Sequence, residues 1–302
     1  KQKVIMSNLS YQKIFSYFAP AKINLCLKIG KKRPNGYHEL ASVVGFTEFG
    51  DAINIQLSNL DELILSGRFS ADIETKSSDN LVMKSLNVLR NLNHFIPPLK
   101  ITIDKQIPVG GGLGGGSSDA ATVFLALNKI FNLNISKENL TKIALKIGSD
   151  VPVCLNRSFM LMSGIGEKIF PLSAPNIPKY IVLTNPGFIS GTKKVFDEFD
   201  KNILETKVEN ISETLDVEQL LYNGNDLEPF AINIYPEIKK LLYTMNKLYP
   251  KNNPFGSAPV RMSGSGSSCF SLFEDKFSAN LFNQKIQDAG FWSVSTKFIT
   301  EF

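Results

Sequence analysis

The sequence is poor in the residues that bind metals or cross-link chains: its 302 residues include three cysteines and two histidines. Cys26, Cys154 and Cys269 lie far apart and at no metal-ligand spacing. That argues against a zinc ribbon or a disulfide framework and predicts buried thiols in a reducing compartment. No apolar run approaches the roughly 20 residues that cross a bilayer, so no membrane partner is expected. Around Met6 there are lysines but neither an apolar signal core nor a cleavage site, which predicts a cytoplasmic protein. The net charge of +5 comes from scattered lysines without a long basic block. Nucleic-acid binding is therefore not expected, and small anionic ligands are mildly favoured. Internal repeats and low-complexity tails are absent too. What remains is a composition with 43% hydrophobic residues, long enough for one large or two ordinary domains with real cores.

One stretch stands apart. Residues 108–121 read Pro-Val-Gly-Gly-Gly-Leu-Gly-Gly-Gly-Ser-Ser-Asp-Ala-Ala, six glycines in fourteen positions. Glycine tolerates positive φ and lets backbone N–H groups approach a ligand. Ser117, Ser118 and Asp119 read as N-cap residues of a helix with Val123, Phe124, Leu127, Ile130 and Phe131 on its apolar face. Upstream, Leu99, Ile101 and Ile103 alternate with polar residues, the period of a half-buried strand. Strand, glycine loop and helix make an anion cradle, most simply for nucleotide phosphates. Gly110, Gly112 and Gly115 also satisfy G-x-G-x-x-G, but about a hundred largely antiparallel residues precede them. The acidic residue due about 20 positions on is Glu138, in the first turn of a helix, so a dinucleotide fold fits poorly. No Lys-Ser/Thr follows the last glycine, which excludes a Walker A loop. A loop using glycine only to turn needs two or three, not six.

The rest of the chain reads as α+β, in two domains with antiparallel sheets covered by helices. After a frayed lead over residues 1–12, Ile23, Leu25, Leu27 and Ile29 alternate with Lys22, Asn24, Cys26 and Lys28. Lys22 and Asn24 thus share one face of a strand, about 7 Å apart. Pro34-Asn35-Gly36 marks a hairpin turn that holds Tyr37 and His38 at its exposed tip. Strands are expected over residues 38–49, 53–57 and 63–65, completing an antiparallel start. Ser77, Ser78 and Asp79 cap a helix with Val82, Leu86, Leu89 and Leu92 inward, with His94 near its end as a structural or solvated residue. Ser136 caps the next helix, which stops at Gly148 before the Ser149-Asp150-Val151-Pro152 turn. Pro-rich 173–178 marks the junction between domains 11–174 and 175–302. The second domain has a strand at 180–184, loops over 200–215 and 251–259, helices after Pro236 and around Phe282, and strands at 269–272 and 292–297.

Ala19 to Leu25, Arg33-Pro-Asn-Gly-Tyr-His38, the glycine loop, residues 149–152, Asn225-Asp-Leu-Glu228 and the small-residue loop 262–268 resemble, in order and over nearly the whole chain, the GHMP kinase superfamily. More narrowly, the Tyr-His pair and the doubled triple glycine are similar to the branch that phosphorylates a cytidyl-diphosphate-linked methylerythritol. This resemblance implies a two-domain GHMP kinase fold and ATP-dependent phosphorylation of a 2-hydroxyl in isoprenoid precursor synthesis. By the same resemblance Lys22 and Asp150 are catalytic. Pro108, Val109, Gly110, Gly111, Gly112, Leu113, Gly114, Gly115, Gly116, Ser117 and Ser118 bind ATP, with Asn80 and Leu81 near adenine. Asn24, Tyr37, His38, Thr192 and Phe196 bind the cytidyl substrate, the aromatics sandwiching the base. Taken alone, Lys22 reads as a solvent-facing strand lysine, Asp150 as a turn aspartate and Phe196 as the apolar face of a short helix. Loop 262–268 is either a flexible turn or a support for the phosphate site. Mg²⁺ is expected with ATP, although no carboxylate pair can be assigned to it, and the assembly is a monomer or homodimer.

Overall fold

The structure, a computed structural model, describes residues 11–71, 80–92, 95–173, 175–202, 222, 224–250 and 260–300. The readings of residues 1–10, of Ser77, Ser78 and Asp79, of His94, and of 203–215 and 251–259 lie outside the described residues. The chain forms two compact units that interleave along the sequence. One comprises the described residues up to Ala21, Gly50–Val109 and Gly115–Asn156; the other comprises Lys22–Phe49, Gly110–Gly114 and the described residues from Arg157 on. The class is α+β.

In the first unit, strand β5 (Leu99–Asp104) buries Leu99, Ile101 and Ile103 on one face, as its period-two pattern demands. It pairs antiparallel with the end of β3 (His38–Leu57), Ala52 opposite Asp104 and Leu57 opposite Leu99. Its other neighbour, β4 (Glu62–Ser66), runs parallel to it, which corrects the expected antiparallel start. The reason is the connection: β4 reaches β5 through helix α1 (Leu81–Asn91), and a helical crossover brings the chain back in the same direction. Asn80, not a preceding serine, caps α1, its side-chain oxygen accepting from the Val82 N–H at 2.9 Å. Val82, Leu86 and Leu89 are buried, but Leu92 lies beyond the helix end and is exposed. Helix α2 (Gly115–Ile130) buries Val123, Phe124 and Leu127. Burying each such side chain is worth about 1.5–3 kcal/mol. Helix α3 (Lys137–Ala144) is capped by Ser136 as expected, and the one-turn α4 (Val151–Cys154) follows with Pro152 in its first turn. Pro152 therefore starts a helix where only a turn was expected, because a proline without an N–H is tolerated there.

In the second unit, β2 (Lys28–Lys32) and β3 form the expected hairpin, with Gly36 at φ +85° in its turn. Strand β6 (Met160–Gly164) pairs with residues 40–44 of β3, and β7 (Lys168–Pro171) pairs with β6. A second sheet has the order β11-β8-β10-β9, from strands Trp292–Lys297, Tyr180–Asn185, Cys269–Phe273 and Val260–Met262. Helices α5 (Thr192–Asn202), α6 (Glu228–Ile234), α7 (Pro236–Leu248) and α8 (Lys276–Asp288) accompany it. Val182, Val195, Ile238, Leu241, Met245, Phe273 and Phe282 contribute to its core. None of the three cysteines is in a disulfide, and all three are buried.

Two strand readings change. Residues 38–57 form one 20-residue strand rather than two, because each half has its own antiparallel neighbour. The alternation across 22–29 is not one half-exposed strand: β1 (Phe15–Asn24) ends before β2 begins, and Ala19 to Leu27 are buried on both faces.

Candidate active site

The glycine loop is held by its carbonyls. The Gly110 carbonyl accepts from Ser190 N–H at 3.3 Å, that of Gly111 from Ser268 N–H at 2.9 Å, and that of Leu113 from Lys22 N–H at 2.9 Å. The Gly112 carbonyl accepts from the Ser263 hydroxyl at 3.0 Å. Among the described residues no protein acceptor takes the N–H groups of Gly110 to Gly114. A row of fixed backbone donors with tethered carbonyls is an anion nest. Gly112 sits at φ +75°, and a Cβ there would strike the Ser263 carbonyl and lie 3.0 Å from that of Gly266, so only glycine fits.

The second small-residue loop supplies two of those four tethers, from Ser263 and Ser268, and is no flexible turn. It closes on itself through Ser263 N–H to Ser268 O at 2.9 Å and Gly266 N–H to Ser263 O at 3.0 Å. Asn225 donates from Nδ2 to the Met262 and Gly264 carbonyls at 2.9 and 2.7 Å, and Glu228 accepts from Met262 N–H at 2.7 Å. Asn185 donates to the hydroxyls of Ser267 and Ser268 at 3.2 and 2.9 Å. Sequence reasoning gave Asn185, Ser190 and Asn225 no role. Only the Asn-Asp-Leu-Glu run carried a signal, and it did not say that the run is scaffolding.

Lys22 and Asn24 are each only 3% exposed, so Lys22 is not the solvent-facing lysine its alternation suggests. Its stem lies along Gly114, with Cβ 3.0 Å from where a Cβ on that glycine would be. Asn24 gives its N–H to Ser263 Oγ at 3.1 Å and its Nδ2 to Ser42 Oγ at 2.8 Å. Among the described residues Oδ1 and the second Nδ2 hydrogen are left to meet a ligand. Asp150 occupies the N-cap position of α4, half-buried, yet its carboxylate does not cap that helix.

The hairpin residues part company. Tyr37 is 58% exposed, as expected of a turn tip, but the His38 side chain is almost wholly covered. Phe196 stacks on the His38 ring at 5.7 Å and 27°, and Phe199 meets it edge-on at 5.5 Å. Helix α5, with Val195 and Phe199 buried, provides this cover, and sequence alone does not show that it faces the hairpin. His38 Nδ1 lies 3.1 Å from Gly30 O, and Nε2 lies 2.7 Å from Asp200 Oδ1 without the alignment of a good hydrogen bond. Asp200 also pairs with Lys32. Thr192 is exposed, its hydroxyl 2.9 Å from that of Ser265. Among the described residues no ring contact joins Tyr37 to Phe196; the structure brings together His38 and Phe196.

In the first unit, Pro108 is buried and Val109 half-buried ahead of the glycines. Helix α2 begins at Gly115, so Ser117, Ser118 and Asp119 lie inside its first turns and none is its N-cap. The Ser118 hydroxyl donates to Pro20 O at 2.7 Å. Leu81 reaches the same turn, its Cδ1 3.8 Å from a Cβ built on Gly116. Asp119 points inward to Lys105 Nζ at 2.6 Å, and Lys105 also pairs with Asp51. Burial pushes the Asp119 carboxyl up to about 7 against the opposing charge of Lys105. Burial likewise works against the Lys105 ammonium, but the two aspartates outweigh it and raise its pKa. Asp51 and Lys105 had no sequence signal, since neither lies in a motif.

Among the described residues no three His, Cys, Asp or Glu side chains gather to hold a metal ion, and no helix is long and apolar enough to cross a membrane. A carbonyl-tethered glycine nest beside a buried lysine defines a phosphate-handling class of protein. Comparison with known proteins gives the family. Residues 80–157 match the GHMP kinases N terminal domain and residues 201–290 the GHMP kinases C terminal domain. The chain is 38% identical over 262 residues to the 4-diphosphocytidyl-2-C-methyl-D-erythritol kinase of Chelativorans sp. (strain BNC1), covering 85% of this chain and 86% of that protein. It is 34% identical over 275 residues to the kinase of the same name from Pasteurella multocida (strain Pm70), covering 91% and 87%. A crystal structure of a 4-(cytidine 5'-diphospho)-2C-methyl-D-erythritol kinase superposes with a TM-score of 0.75 at 28% identity, over 94% of this chain and 99% of that one. The chain belongs to the GHMP kinases and, within them, to the 4-diphosphocytidyl-2-C-methyl-D-erythritol kinase family.

Proposed function

We propose that the protein transfers the γ-phosphoryl group of ATP to the 2-hydroxyl of 4-diphosphocytidyl-2-C-methyl-D-erythritol, a step toward isoprenoid precursors by the non-mevalonate route. The observation that carries the ATP half of this reading is the glycine nest, whose carbonyls are bonded to the protein while, among the described residues, its N–H groups have no protein acceptor. The acceptor is argued from relatives of that name that match most of the chain.

In this reading residues 108–118 cradle the phosphates, Asn80 and Leu81 lie by adenine, and Asn24, Tyr37, His38, Thr192 and Phe196 hold the cytidyl substrate. Asp150 takes the proton of the 2-hydroxyl as its oxygen forms a bond to the γ-phosphorus and the bond to the β,γ-bridging oxygen breaks. ADP leaves, and Asp150 returns its proton to solvent. Lys22, buried at the edge of the nest, stabilises the charge that develops on the transferring group. Mg²⁺ bound with ATP would neutralise charge on the phosphates; among the described residues no cluster of three His, Cys, Asp or Glu side chains is assigned to it. The family's N- and C-terminal domains are assigned to 11–174 and 175–302, and the protein is taken as cytoplasmic, a monomer or homodimer that binds no nucleic acid.

A coupled ATP-consumption assay tests the reading, with the cytidyl substrate run beside mevalonate, homoserine and galactose. Turnover confined to the cytidyl substrate is expected. Preference for any of the other three refutes the acceptor, and binding of NAD without ATP turnover refutes the class.

A further inference from the structure

Lys105 follows directly on β5, Asp119 lies in the second turn of α2, and the thirteen residues between them contain every glycine of the nest. Asp51, from β3, completes the cluster: its Oδ1 accepts from the N–H groups of Gln106 and Ile107 at 2.6 and 2.8 Å, and its Oδ2 pairs with Lys105. One carboxylate thus holds the residues that lead into the glycine segment, another holds the helix that leaves it, and one ammonium joins them. All three side chains are at least 95% buried. The Lys105 ammonium lies 3.5 Å from where a Cβ on Gly115 would project, directly against the first residue of α2.

Stability is a poor reason for such a cluster. A buried ion network loses hydration on every charge, and apolar replacements of similar volume are often neutral or stabilising. Among the described residues Asp119 Oδ1 is buried without a hydrogen-bond partner, a further cost that a purely structural aspartate would not carry. What charges at fixed separation supply, and packed leucines do not, is a defined register between two segments. The segments here are the end of β5 and the first turns of the helix whose N-terminal N–H groups would face a phosphate in the ATP reading.

We propose that Asp51, Lys105 and Asp119 are positioning residues for nucleotide binding, an ionic clasp that sets the first turn of α2 against the end of β5 so that its N–H groups converge on a phosphate. This rests on the ATP reading above. The clasp touches neither phosphate nor acceptor, and it acts through the helix.

Asp119→Leu removes the tie to Lys105 while keeping the branched heavy-atom shape of the side chain, and Asp119→Asn keeps an oxygen acceptor for the ammonium. In Asp119→Leu, KM for ATP should rise about tenfold or more while kcat at saturating ATP and KM for the cytidyl substrate stay within about threefold of wild type. Its Tm should fall, because removing one partner of a buried network leaves charge less well compensated, so the kinetics are read where the variant is folded, and Asp119→Asn should restore KM for ATP to within about threefold. ATP titration by calorimetry, run on the same proteins, separates the two ideas. A wild-type protein that binds no ATP overturns the nucleotide reading and the clasp with it. A wild type that binds while Asp119→Leu binds equally well overturns the clasp alone. So does an asparagine variant as weak as the leucine one. Should Asp119→Leu not fold, Lys105→Met/Asp119→Leu removes the pair as a unit. Failure of both to fold, with normal ATP affinity in Asp119→Asn, makes the cluster a folding element and overturns the proposal.

Discussion

Gly114→Ala is the substitution whose consequence the geometry specifies most fully. The backbone there has φ +63°, which costs an alanine roughly 1 kcal/mol. The new methyl would lie 3.0 Å from Lys22 Cβ, 3.2 Å from its Cε and 3.4 Å from its Cδ. The tightest contact is with the root of the lysine, not its flexible end, so rotating the ammonium away does not relieve it. Either the Lys22 stem shifts or the loop retreats and stretches the 2.9 Å bond from Lys22 N–H to Leu113 O. Overpacking of this kind adds about 1–3 kcal/mol, so a total loss of about 2–4 kcal/mol in native stability is expected. Displacing a catalytic group by an ångström can cost about 100-fold in rate, so kcat should fall by about 10- to 100-fold in the fraction that remains folded. The assay is steady-state kinetics on both substrates, paired with urea unfolding. Gly116→Ala is the control: its nearest neighbour would be Leu81 Cδ1 at 3.8 Å, and alanine gains up to about 1 kcal/mol in helix propensity. Gly116→Ala should therefore be at least as stable as wild type. If Gly114→Ala keeps kcat within about threefold and unfolds at the wild-type urea concentration, the packing of the loop on Lys22 does not matter and the argument fails.

Asp150→Asn keeps shape and loses basicity, so kcat should drop by about 10²–10⁴ with ATP affinity little changed, and activity within a few-fold of wild type removes Asp150 as the base. Base stacking on an aromatic ring is worth about 1–3 kcal/mol, so Tyr37→Ala and Phe196→Ala should each raise KM for the cytidyl substrate by roughly ten- to a hundredfold and spare KM for ATP. The opposite pattern, ATP weakened and cytidyl binding intact, refutes the pairing of those rings with the base. Asp61 accepts both arms of Arg90, at 2.5 and 3.0 Å, and the Leu99 N–H at 3.0 Å. The Arg90 bonds come first in holding its carboxyl below the ordinary range, despite partial burial. A carboxyl depressed in the native state contributes stability above its unfolded pKa, about 3.9, and loses it as pH falls through the native value. Discounted for solvent screening of a largely exposed pair, Asp61→Asn should cost about 0.5–1 kcal/mol at pH 7, a gap that narrows below about pH 4 in denaturant titrations; a constant gap to pH 2 contradicts the assignment.

Much of this was legible in the sequence where the physics is local. Period-two alternation placed β5, a serine three residues before an asparagine N–H placed the start of α3, and six glycines left few alternatives to a backbone nest. What stayed hidden depends on partners far along the chain. Asp119 looks like a cap because it follows glycines and serines, yet its charge belongs with Lys105 and, through it, Asp51. His38 sits after an exposed turn, and only a helix more than 150 residues later covers it. The parallel sense of β4 follows from a crossover whose direction no residue pattern records.

The tethers of the glycine loop bear on the order in which the protein folds. Its four carbonyls are bonded to Lys22, Ser190, Ser263 and Ser268, and the Ser263 to Gly112 bond alone spans 151 residues. Closing loops of that size is entropically slow, and contacts so distant in sequence form late. During synthesis the glycines emerge long before the serines that fix them, so over the 151 positions from Gly112 to Ser263 the growing chain carries a nest sequence without a nest. Competence to hold a phosphate should then appear abruptly, with the last of these contacts, rather than growing with the length of chain made.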